Sequence, residues 1–387
     1  MNINQIVLWA VLLIIVILAV YKLKIAGKGQ WHDDFLSLDT SKAMLGIAAI
    51  FIVLHHISQL MGNLEMDQGP FKFIEYIGVS LVGLFFFFSG YGLFSSKNNR
   101  QDYFKGFLKK RLTTILVPFY VINFIFVAFA IIIGEDLTAA QLVAYGSGWW
   151  LLNTQMWYVV EIAIFYIAFY LIFKNIKNDK TGLVIMGLFI GAFVLLSLVI
   201  GHGAECECDK WLQGEWWFNT SFMFLIGMIF AYNEDTVVTF FKKNFFVIIM
   251  LCIIAGVGFT IPTISMVDEG YYYCEYAEDM TMASVILTKL MTLAVQFAMV
   301  FFFDMIVLLL MMKVKLRNVI LDKLGKVSLV LYLSHNLFLI TFGNLEIGGF
   351  TQPCTLVPMA LICALITAFI LQVPINALPK LILKNKK

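Results

Sequence analysis

With 387 residues, of which 61% are hydrophobic and only 13% charged, the chain holds far more apolar surface than a soluble domain of this length buries. Repeated apolar runs of about 20 residues are what a bilayer core requires, so the composition excludes a soluble globular protein and predicts an all-α polytopic membrane protein. A net charge of +2 offers no basic surface on which to argue nucleic-acid binding, and none is expected.

The first apolar run, 3–21, has no Lys or Arg ahead of it and Lys22, Lys24 and Lys28 behind it. That is the reverse of a secretory n-region, and a retained helix is expected. Eleven transmembrane helices are predicted in all, at 3–21, 43–61, 74–95, 112–134, 156–173, 182–201, 216–232, 245–263, 283–312, 327–345 and 354–378. The ninth, of about 30 residues, has to tilt or project beyond the bilayer. Orientation follows from the short loops. Of the 27 basic residues, 24 fall after the odd-numbered spans, which for the eleventh means the C-terminal tail, while the alternate loops carry acidic clusters such as Glu205, Glu207 and Asp209. The N-terminus is therefore expected outside and the C-terminus inside.

This topology places Cys206, Cys208, Cys274 and Cys354 in or beside external loops, where disulfides persist. Cys206 and Cys208 are too close to bridge each other without strain, so each is expected to pair with Cys274 or Cys354. His202 with Cys206 and Cys208 matches no common zinc spacing, and no metal is expected. The chain has no Walker A loop, no HExxH and no G-x-S-x-G, which leaves nucleotide-driven transport and the common hydrolase chemistries without support.

Candidate chemistry begins in the second span, KAMLGIAAIFIVLHHISQLM (42–61). An ionisable side chain inside a span is costly and marks a functional site by default. Gly46, Ala49, Val53 and His56 share one helix face, where small residues let another helix approach closely. His55 shares the other face with Ala48, Ile52 and Gln59, and spacing does not choose between the two histidines. A neutral imidazole here can take a proton from a hydroxyl. Glu161, in WYVVEIAIFY of the fifth span, is expected in the same layer as His56, where a carboxylate could fix a ring tautomer. Trp157 and Tyr158 beside it, and His335 in the tenth span, are candidates for substrate contact. Asp304 is expected to be solvated or lysine-paired at the cytosolic end of the ninth span, and Lys289 to snorkel. The loop after the third span concentrates Lys109, Lys110 and Arg111, whose charges suit phosphates.

Four stretches in this order, SKAMLGIAAIFIVLHHIS (41–58), IGVSLVGLFFFFSGYGLFSS (77–96), FLKKRLTTILVPFY (107–120) and LGKVSLVLYLSHNLFL (324–339), together resemble the membrane acyltransferase-3 family. The resemblance implies a ten-helix core over 36–380, with 1–26 as an added N-terminal transmembrane helix and 381–387 as a short basic cytosolic tail. It implies transfer of an acyl group, commonly acetyl, from cytosolic acetyl-CoA as co-substrate to a hydroxyl of a cell-surface glycan, by a multi-pass protein of the plasma membrane. Aligning the family pattern on Gly46 places its essential histidine at His56. The basic residue that precedes that glycine in the family is Leu45 here, with Lys42 one turn earlier. In the family's R-x-x-R element Arg111 matches and Thr114 takes the second position. Lys109, Lys110, Arg111 and Lys42 are accordingly the expected donor-binding residues, and His56, Glu161 and His55 the expected catalytic ones. A proton-coupled transporter or flippase of a lipid-linked glycan is the alternative, with the histidines lining a proton path.

Overall fold

The computed structural model describes residues 2–199, 219–268, 281–345 and 347–384. Among these, nine helices are long and apolar enough to cross a membrane, and ten if the bent pair Val319–Ser334 and Asn336–Gly343 counts as one span. This is a polytopic all-α membrane protein. Ten of the eleven predicted segments hold such helices. The remaining one, 216–232, is helical over Phe222–Tyr232, 11 residues. That is roughly 16 Å, short of the roughly 30 Å of a hydrocarbon core, and residues 216–218 lie outside the described residues. So do His202, Cys206, Cys208 and Cys274. Cys354 forms no disulfide among the described residues; it lies in the first turn of its helix, its backbone N–H donating to Asn4 Oδ1 at 3.2 Å.

The chain divides into two compact units, Met1–Leu84 with Phe303–Pro374, and Phe85–Phe302 with Ile375–Lys387. The first unit holds α1 (Ile3–Val20), β1 (Lys24–Ile25), α2 (Leu38–Asn63), the start of α3 (Phe71–Asn99) and the end of α10 (Met282–Lys313). After these come β2 (Val314–Lys315), α11 (Val319–Ser334), α12 (Asn336–Leu339) and most of α13 (Pro353–Lys384). Side-chain caps start α1, α2 and α11, from Asn2, Ser37 and Asn318 respectively, each satisfying a backbone N–H of the first turn that no carbonyl can reach.

Arg317 ties two of these helix starts together. It donates to Asp39 in the first turn of α2 at 2.8 Å and to Asp322 in the first turn of α11 at 3.3 Å. Beside it β1 and β2 form a two-residue antiparallel ribbon, Lys24 opposite Lys315. Lys315 hydrogen-bonds Asp34 and holds that carboxyl below the usual carboxylate range.

Above this base α2 and α11 meet backbone to backbone. A Cβ built on Gly46 would lie 2.6 Å from Gly325 N, and one on Gly325 would lie 2.2 Å from Lys42 O. No side chain fits between the two helices at this level, which is the close approach the small face of α2 predicts.

The second unit contains the rest of α3, α4 (Phe107–Ile132), α5 (Ala139–Ser147), α6 (Trp157–Asn175), α7 (Asp179–Val199), α8 (Phe222–Tyr232), α9 (Glu234–Asp268) and the first part of α10. Glycines again set the closest contact. A Cβ on Gly90 of α3 would lie 2.0 Å from Phe224 O, and one on Gly227 of α8 would lie 2.1 Å from Phe87 O. Phe86, Phe165 and Phe224 pack in this core as tilted rings, the first two 5.9 Å apart and the second two 5.3 Å apart, within the range of favourable aromatic pairs. The backbone of α9 leaves helical geometry at Asn244, one residue before the predicted start of the eighth span. The ninth span is the 32-residue α10, about 48 Å long, as its apolar run predicts.

Candidate active site

The glycine contact sets the register of α2 against α11. Ten residues beyond Gly46 stands His56, and ten beyond Gly325 stands His335. The helices run in parallel, so equal offsets bring the two imidazoles together, stacked with centroids 5.1 Å apart and planes 23° from parallel. His55 meets His56 edge-on at 4.7 Å. Its ring rests on the backbone of α3, where a Cβ on Gly78 would lie 2.2 Å from both Cγ and Nδ1 of His55. The first unit thus gathers three of the five histidines of the chain. His335 is fully buried and the other two are half-buried.

Hydrogen bonds fix two of the rings. His335 Nδ1 lies 2.6 Å from the carbonyl of Tyr332. A carbonyl only accepts, so Nδ1 carries the proton, and in the neutral ring Nε2 carries the lone pair. That bond draws a helix carbonyl onto a side chain, and the helix bends by 45° at this residue, one of the recognised causes of a kink. A π-helical turn, Ile340–Asn344, follows. His56 Nδ1 lies 2.9 Å from Gln59 Oε1. It donates there, leaving Nε2 as the basic nitrogen. The face count pairs Gln59 with His55; the structure turns the Gln59 side chain to His56 instead. Ser80 Oγ, Ser334 Oγ, His55 Nδ1 and His335 Nε2 are buried atoms of this unit without a hydrogen-bond partner among the described residues.

The other expected residues fall as follows. Glu161 is buried in the second unit and accepts from Ser221 Oγ. Trp157 and Tyr158 are buried there as well, packed on Phe86 at 6.3 and 4.8 Å. Lys109 and Lys110 are exposed in the first turn of α4, and Lys42 is exposed on α2. Arg111 donates to Tyr103 Oη at 3.2 Å. Burial raises the Tyr103 phenol above its usual range, against the pull of Arg111, so the phenol stays neutral.

Two expectations are corrected. Asp304 is neither solvated nor lysine-paired but fully buried, both carboxylate oxygens lacking a hydrogen-bond partner among the described residues. Lys289 does not snorkel; it is 1% exposed. The apolar pattern gives depth along a helix, and depth does not tell whether a side chain faces the protein interior. Sequence reasoning also passes over Asn219, Thr220, Ser221 and Gln296, all buried, and gives Gln59 a face but no role. The available signal is a polar side chain inside or beside an apolar run, as in TLAVQFAMV.

Fold and site together define a polytopic membrane protein built round an imidazole cluster on two parallel helices. The family model described as "Acyltransferase domain" matches residues 42–375, which takes in α11 and all of α2 from Lys42 onward. The chain belongs to the acyltransferase-3 family and is a membrane acyltransferase. No curated protein and no solved structure matches it.

Proposed function

We propose that the protein moves an acetyl group from cytosolic acetyl-CoA to a hydroxyl of an extracytoplasmic glycan at the plasma membrane, with His56 as general base. The charge alternation of the loops supports the topology this needs, eleven spans with the N-terminus outside and the C-terminus inside. The observation that carries the assignment is the hydrogen bond from His56 Nδ1 to Gln59, which leaves Nε2 free to accept a proton.

The reaction balances on one proton. His56 Nε2 takes it from the acceptor hydroxyl as the oxygen attacks the thioester carbonyl. The tetrahedral intermediate then collapses, the C–S bond breaks, and the imidazolium returns the proton to the departing CoA sulfur. His335, stacked on the same ring, holds His56 in place, and the stack keeps water from that face. Lys109, Lys110 and Arg111 bind the CoA phosphates; Arg111 is the strongest of these because its planar fork reaches two oxygens at once.

Mass spectrometry of envelope glycans from cells with and without the gene tests the reaction. Acetyl esters present only with the gene support it; identical glycans, together with no transfer from labelled acetyl-CoA in isolated membranes, remove it. In those membranes Arg111→Ala is expected to raise KM for acetyl-CoA about tenfold or more, the loss of a charge-assisted hydrogen bond, with kcat little changed.

Gln59→Leu removes the acceptor at His56 Nδ1 and is expected to lower kcat about three- to tenfold with KM for the donor unchanged. Gln59→Glu keeps an acceptor there and should retain most of the activity. Equal rates for all three proteins would mean that Gln59 does not set the tautomer.

A further inference from the structure

The second unit contains a polar cluster that the proton-transfer scheme leaves unused. Glu161 of α6, Asn219, Thr220 and Ser221 in the turn before α8, and Gln296 of α10 are each 0–2% exposed. Two hydrogen bonds join them into one run. Ser221 Oγ donates to Glu161 Oε1, and Asn219 Nδ2 donates to Gln296 Oε1 at 2.5 Å. The consecutive residues 219–221 link the two pairs.

These bonds use only part of what the groups can do. Glu161 Oε2, Asn219 Oδ1, Thr220 Oγ1 and Gln296 Nε2 are buried and have no hydrogen-bond partner among the described residues. Each such group costs on the order of 1–3 kcal/mol when left unsatisfied. Four at one place is a large charge against a folded state that is stable by only about 5–15 kcal/mol. Buried polar groups are otherwise almost always satisfied, and each exception calls for a reason.

The leftover valences are mixed. Glu161 Oε2 and Asn219 Oδ1 accept, Gln296 Nε2 donates, and the Thr220 hydroxyl does both. A metal cation would meet the two acceptors but would be opposed by the Gln296 N–H groups. An anion would be opposed by the unpaired acceptor oxygen of Asn219. A ligand that complements all four has several neighbouring groups that both donate and accept, and that description fits vicinal hydroxyls.

We propose that the run from Glu161 to Gln296 is a binding site for a polyhydroxylated ligand, a saccharide ring of the acceptor. This rests on the reading of the acceptor as a glycan, and it assigns the residues that select it.

Thr220→Val is the informative variant because the two shapes are nearly the same. The hydroxyl has no protein partner among the described residues, so its removal should leave the Tm of the ligand-free protein equal or higher, while weakening saccharide binding roughly tenfold. Gln296→Leu should weaken binding at least as much. The measurement is thermal unfolding of the purified full chain in nanodiscs, titrated with oligosaccharides of two to six units prepared from the envelope polysaccharide of the source cells. A parallel titration uses sodium chloride.

Saturable stabilisation of the wild type by oligosaccharide, lost in both variants, supports the site. No stabilisation of the wild type, equal stabilisation of all three proteins, or stabilisation by sodium alone overturns it. A fall in the Tm of ligand-free Thr220→Val also overturns it, since the hydroxyl would then be satisfied by water as part of the fold. The two readings separate cleanly. Transfer to glycan with an unchanged acceptor KM in Thr220→Val removes this site and leaves the acyltransferase reading. Oligosaccharide binding at these residues without transfer does the reverse.

Discussion

Alanine in place of His56 is expected to lower the rate of acyl transfer by about a hundred- to ten-thousandfold, the usual contribution of a positioned general base. The protein should still fold. The ring is half-buried, and its removal leaves the backbone contact of Gly46 with Gly325 untouched. His55→Ala, at the preceding position of the same helix, makes the comparison sharp, since that ring lies edge-on to His56 with its Nδ1 unpartnered among the described residues. The loss there should be smaller by an order of magnitude or more. Initial rates with labelled acetyl-CoA, normalised to folded protein, give the answer. Equal rates for His56→Ala and wild type would remove His56 from the chemistry. A mass spectrum of protein quenched during turnover separates direct attack from an acyl-His56 relay, which would add an acetyl group to that ring.

The second large effect is expected a long way from the proton. Gly46→Ala forces a methyl group to within 2.6 Å of Gly325 N, and Gly325→Ala forces one to within 2.2 Å of Lys42 O. Backbone atoms cannot turn aside as a side chain can, so the helices must separate. Overpacking of this kind costs about 1–3 kcal/mol. The effect on rate should be larger still, because the stack of His56 on His335 depends on the same register, and a displacement of about 1 Å at a reacting group can cost about a hundredfold. Both variants should therefore show a lowered Tm and strongly reduced transfer. Gly258→Ala is the control. It lies in α9 with nothing within 4 Å of its added Cβ, and alanine has the higher helix propensity. A Tm and rate for Gly46→Ala equal to those of Gly258→Ala would show that the α2–α11 contact does not position the site.

The contrast between these variants also shows what was readable beforehand. The face carrying Gly46, Ala49, Val53 and His56 is a property of one helix, and its small residues announce a close partner. The partner's identity is a different matter. Gly325 and His335 repeat the ten-residue offset of Gly46 and His56, but the offset has meaning only once α2 and α11 are known to lie side by side and parallel. The same holds for Gln59. Helical spacing puts it on the face of His55, four residues earlier, and only the rotamer in the packed protein gives it to His56. Asp304 and Lys289 are misjudged for a related reason, since depth along a helix does not tell which side another helix covers.

By itself the sequence determined that the chain lives in a bilayer, nearly all of its spans, and that an imidazole stands on a small-residue face of the second one. Run length, helical period and loop charge are each contained within one segment, so each can be read there. Only the tertiary structure decided which ring stacks on which, which nitrogen is left basic, and which polar groups beyond the histidines are buried together. Those outcomes depend on atoms from distant segments coming within a few ångströms of one another, and no single segment carries that distance.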